Sequence, residues 1–415
     1  MIEKQNIPVS DSSLVVFQHL DAWLREKIQG FIQMILEEEV NELLGRAKCQ
    51  RRASVDSCSG YRNGYGKPRK LTTGSGTISL RRPRVRNLDQ RFESRILPLF
   101  ERRTKQVSQL IPQLYLHGLS QGDFDLALRG LLGDEAALST ATVARLKARW
   151  QVEYEQWNSR SLAELEVVYL WVDGIYVRAG LEKQKACLLV AIAGLSDGSK
   201  TIVALQAGFR ESSESWSGLL RDLKQRGLKA PRLVVGDGHL GIWAGLREVY
   251  PQADEQRCWN HRIVNLLDRV PKKKQEEARE LLKQIPYAES RKEAESRKQK
   301  FQTWCEKNEC VQAREMIERD WERMITFYSY PREHWKHLRT SNVVESPFSA
   351  VRLRTDASRR YKKIENATAL IWKVMMVGEK KFRRLDAPQL MREVHEGAIY
   401  KDGIRVKDED KKEAA

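Results

Sequence analysis

Two aspartates, Asp173 and Asp237, each follow a run of mostly apolar residues and precede a glycine. The runs, Val167 to Val172 and Arg232 to Gly236, are typical of buried strands. Carboxylates at strand ends lose hydration and also repel each other, by roughly 4 kcal/mol at about 4 Å and an effective dielectric of about 20. A shared proton or a divalent cation relieves that repulsion. Taken singly, however, each aspartate could be an ordinary turn residue.

A third acid, Glu345, lies in the stretch Thr340 to Ser346, ahead of a long basic segment. Alone, Asn342 to Glu345 fits a capping box, in which the glutamate only closes the start of a helix. Together with the two aspartates it completes a set of three carboxylates, the ligand type that Mg²⁺ and Mn²⁺ prefer. Two such ions activate a water or a 3′ hydroxyl and stabilise the leaving oxygen of a phosphodiester displacement. We therefore expect the three acids to hold two Mg²⁺ ions, with Mn²⁺ as a substitute and no organic cofactor.

The charge distribution predicts a nucleic-acid partner. The chain has 415 residues and a formal net charge of +17. Between Arg46 and Lys105, 17 Lys or Arg stand against 4 Asp or Glu, a net charge of +13 for that segment. Clustered cations bind phosphates, whereas a charged surface without a ligand does not need them clustered. The longest apolar run, within Ala186 to Leu195, is too short for a membrane span, and Met1 to Ser10 lacks the layout of a signal peptide. We expect a cytoplasmic, nucleoid-associated protein with no membrane partner.

The amino-terminal third predicts a mostly helical DNA-binding region. Residues 13–45 have apolar positions at helical spacing, which predicts amphipathic helices suited to self-association. The basic segment that follows has one alternating stretch, Gly76 to Val85, and is otherwise most simply an extended arm. Residues 119–147 then predict a helix-turn-helix, with Ser120 and Ser139 as helix caps.

From residue 166 the pattern changes to strands and predicts an α/β domain. Three adjacent strands, a helix, a strand, a helix and a short strand follow in turn, the order of a ribonuclease-H-like core. In such a sheet the first and fourth strands are neighbours, which would bring Asp173 and Asp237 together. The predicted fold class is α/β, with a ribonuclease-H-like catalytic core, an all-α insertion and a preceding, mostly α-helical DNA-binding region. The predicted parts are residues 1–45 (amino-terminal helices), 46–155 (basic arm and helix-turn-helix), 156–270 (first part of the core), 271–334 (all-helical insertion), 335–396 (second part of the core, with the Glu345 helix) and 397–415 (a loose charged tail).

Blocks spread in order over nearly the whole chain resemble those of bacterial insertion-sequence transposases of the Mutator type. They are Gly60 to Tyr65, Leu71 to Thr73 with Gly76 to Ile78, Val172 to Gly174, Val235 to His239, Gln256 to His261 and Arg339 to Glu345. The resemblance implies that Asp173, Asp237 and Glu345 form the DDE triad of a transposase, with the insertion between the second aspartate and the glutamate. It also implies metal-dependent cleavage and strand transfer on double-stranded DNA, namely the terminal inverted repeats of its own element and a target. A homo-oligomer that pairs two DNA ends is expected as well.

Three further residues are candidates for auxiliary roles. Cys258 and His261 form the C-x2-H motif of the family. Two ligands are only half of a structural zinc site, so packing or a polar contact near the acids is favoured over zinc. His261 could hold a phosphate or order the site. His239, two residues after Asp237, could contact DNA or metal-bound water.

Basic and aromatic residues complete the candidate interface. Tryptophans at helical spacing around the insertion are most simply core residues, although one could stack on an unpaired base. They are Trp304, Trp321 and Trp335. The basic residues expected to contact DNA are Arg62, Arg81, Arg82 and Arg84 in the arm, Arg145 and Lys147 in the second helix of the helix-turn-helix, and Arg339, Arg352 and Arg354 around Glu345.

Two rival functions stay open. The first is a catalytically idle DNA-binding protein, such as a repressor, against which the intact set of acids argues. The second is a glycoside hydrolase, which also needs paired carboxylates. The basic segment and the lack of an aromatic-rich sugar-cleft pattern disfavour that second rival. Metal-dependent activity would separate the transposase from the repressor, and retention on DNA at moderate salt would separate both from the hydrolase.

Overall fold

The structure is a computed structural model and describes residues 19–51, 60–119, 121–133, 136, 140–179, 185–208, 212–238, 240–358 and 361–406. The chain divides into two compact units, Met1–Ala144 and Arg145–Ala415. All three acids belong to the second unit. Among the described helices, none is long and apolar enough to cross a membrane. The finer division into six parts stays a prediction.

The first unit begins, in its described part, with a long helix, α1 (Leu20–Leu44). This confirms the predicted helix over that range, while Leu14 and Phe17 lie outside the described residues. The helix ends at Gly45, whose left-handed φ of 61° suits a residue without a Cβ. Four strands follow and pair antiparallel, β1 with β4 and β2 with β3. They are β1 (Tyr61–Tyr65), β2 (Arg69–Thr73), β3 (Gly76–Leu80) and β4 (Pro83–Arg86).

A small core joins these strands to α1. Leu36 of the helix packs with Leu71, Ile78, Leu80 and Leu97, all of them at most 9% exposed. Burying an aliphatic side chain stabilises a fold by about 1.5–3 kcal/mol, so the strands gain stability from packing on the helix. The alternating stretch Gly76 to Val85 forms β3 and part of β4, as its pattern predicts, whereas the extended arm predicted around it is wrong for β1 and β2.

The first unit continues with helices at the positions predicted for the helix-turn-helix. The helices are α2 (Lys105–Leu116), α3 (Gln121–Leu132) and α4 (Thr140–Asn158). α4 has 19 residues, longer than predicted, and continues past residue 144 into the second unit. The predicted caps Ser120 and Ser139 lie outside the described residues. Recognition of DNA by α3 and α4 stays a prediction.

The second unit is built on a mixed sheet of five strands in the order β7-β6-β5-β8-β9. β5, β6 and β7 are antiparallel neighbours, whereas β8 runs parallel to both β5 and β9. With the helices α5 and α6 between them, the strands confirm the predicted order of elements and the pairing of the first strand with the fourth. The elements are β5 (Val167–Val177), β6 (Ala186–Leu195), β7 (Lys200–Gly208), α5 (Ser213–Gln225), β8 (Leu233–Gly236), α6 (Leu240–Val249) and β9 (Asp254–Arg257).

The register of the sheet corrects the predicted end of the first strand. Asp173 does not end β5 but lies inside it, because the antiparallel partner β6 extends further and pairs Val190 with Asp173. The parallel partner β8 is shorter, and its last pair with β5 joins Val235 to Trp171. Asp173 thus lies just beyond the point where β5 loses β8, and Asp237 follows the end of β8. Both acids occupy the carboxyl end of a parallel pair, where α/β sheets form ligand crevices.

Helices cover both faces of the sheet. On one face, Trp216 of α5 and Trp243 of α6 are fully buried against the even-numbered residues of β5, such as Leu170. On the other face, α14 (Ile364–Glu379) packs on β7, and α12 (Asn342–Glu345) packs on β5 and β6. Side chains alternate along a strand, so the odd-numbered residues of β5, Asp173 among them, face the side of α12.

Residues 271–334, all of them described, contain helices and no strand, as predicted, while their role as an insertion into the core stays a prediction. The three tryptophans around it are 8%, 4% and 3% exposed, so the interpretation as core residues is confirmed and their rings are not open to a base. The helices from β9 to α12 are α7 (Trp259–Leu267), α8 (Gln275–Gln284), α9 (Arg291–Lys307), α10 (Val311–Met324) and α11 (Trp335–Leu338), with 3₁₀ turns at Lys272–Lys274, Ile285–Tyr287, Thr326–Ser329 and Arg332–His334.

The described part of the chain ends with a small hairpin. The prediction of a loose tail from residue 397 is wrong as far as residue 406, because Tyr400 is 6% exposed and the Gly403 N–H donates to the Tyr328 carbonyl at 3.1 Å. The rest of the predicted tail, 407–415, lies outside the described residues. The closing elements are α13 (Phe348–Asp356), α15 (Pro388–Glu396), β10 (Tyr400–Lys401) and β11 (Ile404–Arg405).

Candidate active site

Asp173 is the most buried of the three acids, at 8% exposure. The N–H of Gly174 donates to its Oδ1 at 2.8 Å. Burial, with smaller contributions from the charges of Asp237 and Glu345, raises the pKa of Asp173 to about 7 against the opposing effects of the Gly174 N–H and of His261. All three neighbouring charged groups therefore lie within electrostatic reach of the Asp173 carboxylate.

Asp237 is half-buried in the turn between β8 and α6. Gly238 follows with a left-handed φ of 87°, and a Cβ placed there would meet side-chain atoms of Arg257 at 2.3 to 2.7 Å. Burial lowers the pKa of Arg257, while the charges of Asp320 and then Asp237 oppose that shift. Arg257 also binds Asp320 of α10 at 2.9 Å. The guanidinium thus fixes the Asp237 turn and ties it to the insertion, a role for which the sequence carries no signal.

Glu345 ends the single turn α12 and contacts the side chains of Ser341, the N-cap residue of that turn, and of His261 in α7. Ser341 Oγ donates to its Oε1, and His261 Nδ1 lies 3.8 Å from the same oxygen. The structure places Asn342 inside the helix, and within this described segment the N-cap Ser341 makes no side-chain capping bond. The capping-box interpretation is therefore wrong, because Asn342 is not the N-cap residue and the Glu345 carboxylate accepts from the Ser341 hydroxyl. The Glu345 side chain is 31% exposed and so remains open to a ligand.

Ser341 is a site residue that was not predicted. Positions four apart share one face of a helix, so a serine four residues ahead of a candidate acid is the signal that could have identified it. Its hydroxyl also lies 3.3 Å from His261 Nδ1, which places Ser341 between the imidazole and the carboxylate of Glu345.

Cys258 joins the segments that carry two of the acids. Its N–H donates to the Gly236 carbonyl, at the end of β8, at 2.7 Å. Its Sγ accepts from the N–H of Ser341 at 3.2 Å. Cys258 therefore connects the strand that leads to Asp237 with the turn that leads to Glu345, in agreement with the packing role expected from the sequence.

His261 brings a positive charge to the acids. A hydrogen bond with Cys258 raises the pKa of His261 to about 9, helped by the charges of Cys258, Asp173 and Glu345 and opposed by burial. The ligand atoms of Cys258, His261 and Glu345 lie within 4.8 Å of one another. Structural zinc needs four ligands, and no fourth His, Cys, Asp or Glu joins this group among the described residues. Zinc therefore stays the disfavoured interpretation.

The residues present fit hard divalent cations. Asp173 lies in β5, Asp237 follows the neighbouring strand β8, and the turn α12 that carries Glu345 packs on β5, so the fold brings the three segments with the acids to one end of the sheet. Carboxylate oxygens are the donors that Mg²⁺ and Mn²⁺ prefer. The predicted auxiliary residue His239 lies outside the described residues, so its role stays a prediction.

Several of the basic residues predicted to contact DNA are bound within their own unit. Arg62 pairs with Glu37 at 3.0 Å, and Arg82 donates to the Phe92 carbonyl at 3.0 Å. These guanidinium groups stabilise the first unit, and contact with DNA would use only their remaining hydrogen-bond donors.

Around Glu345 the basic residues differ sharply in exposure. Arg339 donates to the Pro286 carbonyl at 2.9 Å and stacks over the ring of Tyr287. Arg354 is 1% exposed, so the prediction that it contacts DNA is wrong, because a phosphate cannot reach its guanidinium. The predicted basic residues that are exposed are Arg81, Arg84, Arg145, Lys147 and Arg352.

The fold and the site define an α/β protein with an acidic centre at the end of a parallel strand pair, and comparison with known proteins gives its family. Residues 3–384 match the model of the family described as "Transposase, Mutator family". This chain belongs to the Mutator family of transposases, which confirms the resemblance of its sequence blocks.

Curated relatives agree with that assignment. The chain is 42% identical over 298 residues to the transposase for insertion sequence element IS6120 of Mycolicibacterium smegmatis, covering 72% of this chain and 92% of that protein. It is 38% identical over 281 residues to the transposase for IST2 of Acidithiobacillus ferrooxidans, covering 67% and 94%. It is 24% identical over 368 residues to the transposase for IS256 in transposon Tn4001 of Staphylococcus aureus, covering 88% and 92%.

Proposed function

We propose that this protein is a DDE transposase that cleaves and joins DNA strands with two divalent cations held by Asp173, Asp237 and Glu345. The observation that carries the proposal is that Asp173 lies in β5 just beyond its pairing with β8, Asp237 follows β8, and the turn α12 with Glu345 packs on β5. The three acids come from distant parts of the chain, and the charge of His261 opposes theirs at Asp173. Membership of a transposase family supports phosphodiester chemistry at this point.

We infer further that the sheet is a ribonuclease-H-like core interrupted by the helical insertion. The support is its order, β7-β6-β5-β8-β9, with three antiparallel strands followed by two parallel ones. In this arrangement Asp173 stands on the central strand, Asp237 follows the neighbouring strand, and Glu345 arrives on a turn of helix after the insertion.

Each side chain of the site has its own proposed role in holding the cations or orienting another ligand. When bound, Mg²⁺ or Mn²⁺ would supply activation of the nucleophile and stabilisation of the leaving oxygen. Asp173 and Asp237 would flank both cations, and Glu345 would complete the coordination of one. Ser341 and His261 orient the Glu345 carboxylate by the contacts described above. The nucleophiles are water and then a DNA 3′ hydroxyl, so no side chain forms a covalent intermediate.

Double-stranded DNA is the proposed partner. Residues 46–150 would bind the terminal inverted repeats of the element, since residues 46–105 carry a net charge of +13 and Arg81, Arg84, Arg145 and Lys147 are exposed. Target DNA would approach the acids beside the exposed Arg352. The protein would work in the cytoplasm on nucleoid DNA.

Pairing of two DNA ends calls for a homo-oligomer, and α1 is the candidate contact. Three large apolar side chains of this helix, Trp23, Phe31 and Met34, are each 48–59% exposed. A helix with such an exposed apolar surface suits association with a second copy of itself.

The test is cleavage of a duplex that carries the end of the element, by the purified protein, in Mg²⁺ and in EDTA. We expect cleavage in Mg²⁺ only and its loss in Asp237→Asn. The control Asp268→Asn removes an exposed acid at the end of α7 and should cleave like wild type. Binding without cleavage in any metal would favour the repressor function, and cleavage by Asp237→Asn at the wild-type rate would exclude the proposed role of that residue.

A further inference from the structure

A cavity distinct from the acidic centre lies along the turn that carries Glu345. It encloses about 410 Å³, within the range of roughly 300–1,000 Å³ that is usual for ligand sites. Asn342, Val343 and Ser346 line it. Ser341 and Glu345, on the same turn, instead contact His261. Different residues of one short turn therefore line the cavity and contact His261 beside the acids.

The cavity is strongly basic. Its lining includes Lys200, Lys336, Lys381 and Arg383, and no Asp or Glu belongs to the described lining residues. One carboxylate lies nearby, that of Asp386, which pairs with Lys336 and lies 3.4 Å from His337 Nε2. Four cationic lining side chains, one of them paired with Asp386, predict an anionic ligand.

An aromatic residue in the cavity indicates that the anionic ligand also carries a group that can stack on a ring. Phe382 also lines the cavity, is half-buried, and stands in sequence between the cations Lys381 and Arg383. An aromatic ring flanked by cations is the arrangement that binds single-stranded nucleic acid, since the ring stacks on a base and the cations hold the adjacent phosphates. Bases in a duplex are already stacked on one another, so only an unpaired nucleotide can use this ring.

We propose that the cavity binds one unpaired nucleotide of a single DNA strand, with its base against Phe382 and its flanking phosphates held by Lys381 and Arg383. The proposal rests on the proposed function, because a strand that enters or leaves the acids would pass along the turn that carries Glu345. It assigns single-stranded DNA to a site that takes no part in holding the metal ions.

The test is photo-crosslinking of the full-length protein to a five-thymidine oligonucleotide whose central base is 4-thiothymidine, in EDTA. Cleavage of the protein after glutamate gives the fragment 380–393, which contains the aromatic and basic lining residues. We expect a crosslink in this fragment and in 334–345, the fragment from the other wall. Stacking contributes about 1–3 kcal/mol, so Phe382→Ala should weaken both crosslinks at least about fivefold, while Phe382→Tyr should retain them.

Lys381→Ala combined with Arg383→Ala should weaken both crosslinks as strongly. The control is Arg384→Ala, which removes one positive charge one residue further on, from a side chain that is 68% exposed and does not line the cavity. This control should crosslink like wild type.

Three outcomes would overturn the proposal. Wild-type crosslinks confined to other parts of the chain would show that the oligonucleotide does not bind in the cavity. An unlabelled duplex that competes as well as the single strand would show that the surface binds double-stranded DNA. Inorganic phosphate that competes equally well would show a simple anion site. Because EDTA prevents metal-dependent chemistry, the result does not depend on whether the acids catalyse, so failure here and failure of the transposase proposal are separable.

Discussion

The imidazole Nδ1 of His261 lies 3.8 Å from Oε1 of Glu345, although the whole helical insertion separates the two residues along the chain. The contact places a positive charge beside a carboxylate that would otherwise face only the negative charges of Asp173 and Asp237. It also explains how one short turn of helix is positioned, because Ser341, one residue before that turn, bonds to both partners. The position of the Glu345 carboxylate therefore depends on contacts between the segments that precede and follow the helical insertion.

Asp173→Asn should stabilise the metal-free protein at pH 8 by about 1–3 kcal/mol and abolish cleavage. Burial raises the pKa of Asp173 to about 7, above its value of about 3.9 in an unfolded chain. The folded state therefore binds this proton more tightly, and its contribution to stability is complete below pH about 4 and is lost as the pH rises through about 7. Asparagine has no charge to bury.

The measurement is denaturant unfolding of both proteins in EDTA at pH 5 and pH 8. Wild type should lose more free energy of unfolding than the variant between the two values. Equal losses would mean that Asp173 does not carry a raised pKa in the folded protein.

Gly238→Ala should destabilise the turn that holds Asp237 and slow cleavage. The left-handed φ of 87° costs a residue with a Cβ about 1–2 kcal/mol, and that Cβ would also press on Arg257. The matched control is Gly218→Ala in α5, where a Cβ meets no atom within 4 Å and should be neutral or stabilise by about 0.5–1 kcal/mol. Melting temperatures and cleavage rates check both, and an equal effect of the two substitutions would show that the backbone at Gly238 is unstrained.

Asp320→Asn should destabilise the protein by about 3–5 kcal/mol. Asp320 is 4% exposed and pairs with both Arg257 and Arg262, so its removal leaves two largely buried guanidinium groups without their counter-charge. Because Arg257 also packs on the Asp237 turn, cleavage should fall too.

Glu322→Gln is the control for that substitution. Glu322 is on the same helix and pairs with Arg291 at 2.6 Å, but its side chain is 76% exposed, so its removal should cost at most about 1 kcal/mol. Denaturant unfolding compares the two variants. A similar, small loss in both would show that the buried ion cluster does not hold the insertion to the sheet.

Local patterns were enough to predict the strands and the two aspartates that follow their apolar runs. The apolar runs before Asp173 and Asp237 are long enough to define buried strands, and the order of the elements places those strands side by side. The extent of β5 could not be read in the same way, because it depends on how far β6 pairs beyond Asp173. The basic arm was misjudged because its few apolar residues are buried only by α1, a helix that precedes them along the chain.

The surroundings of Glu345 were misjudged for a related reason. Asn342 to Glu345 fits a capping box as a local pattern, yet the carboxylate is held by Ser341 and His261. Contacts between residues on either side of a helical insertion leave no periodic signal in the sequence. Likewise, the burial of Arg354 follows from packing that its basic surroundings conceal.

The central claim is that Glu345 acts with the two aspartates in phosphodiester chemistry, and strand transfer by Glu345→Gln tests it most directly. The assay joins a duplex with the element's end to target DNA in Mg²⁺, beside Glu365→Gln, which removes an exposed glutamate in the first turn of α14. We predict that Glu345→Gln binds the end DNA like wild type but gives no detectable joined product, while Glu365→Gln joins normally. Strand transfer by Glu345→Gln at the wild-type rate would contradict the account.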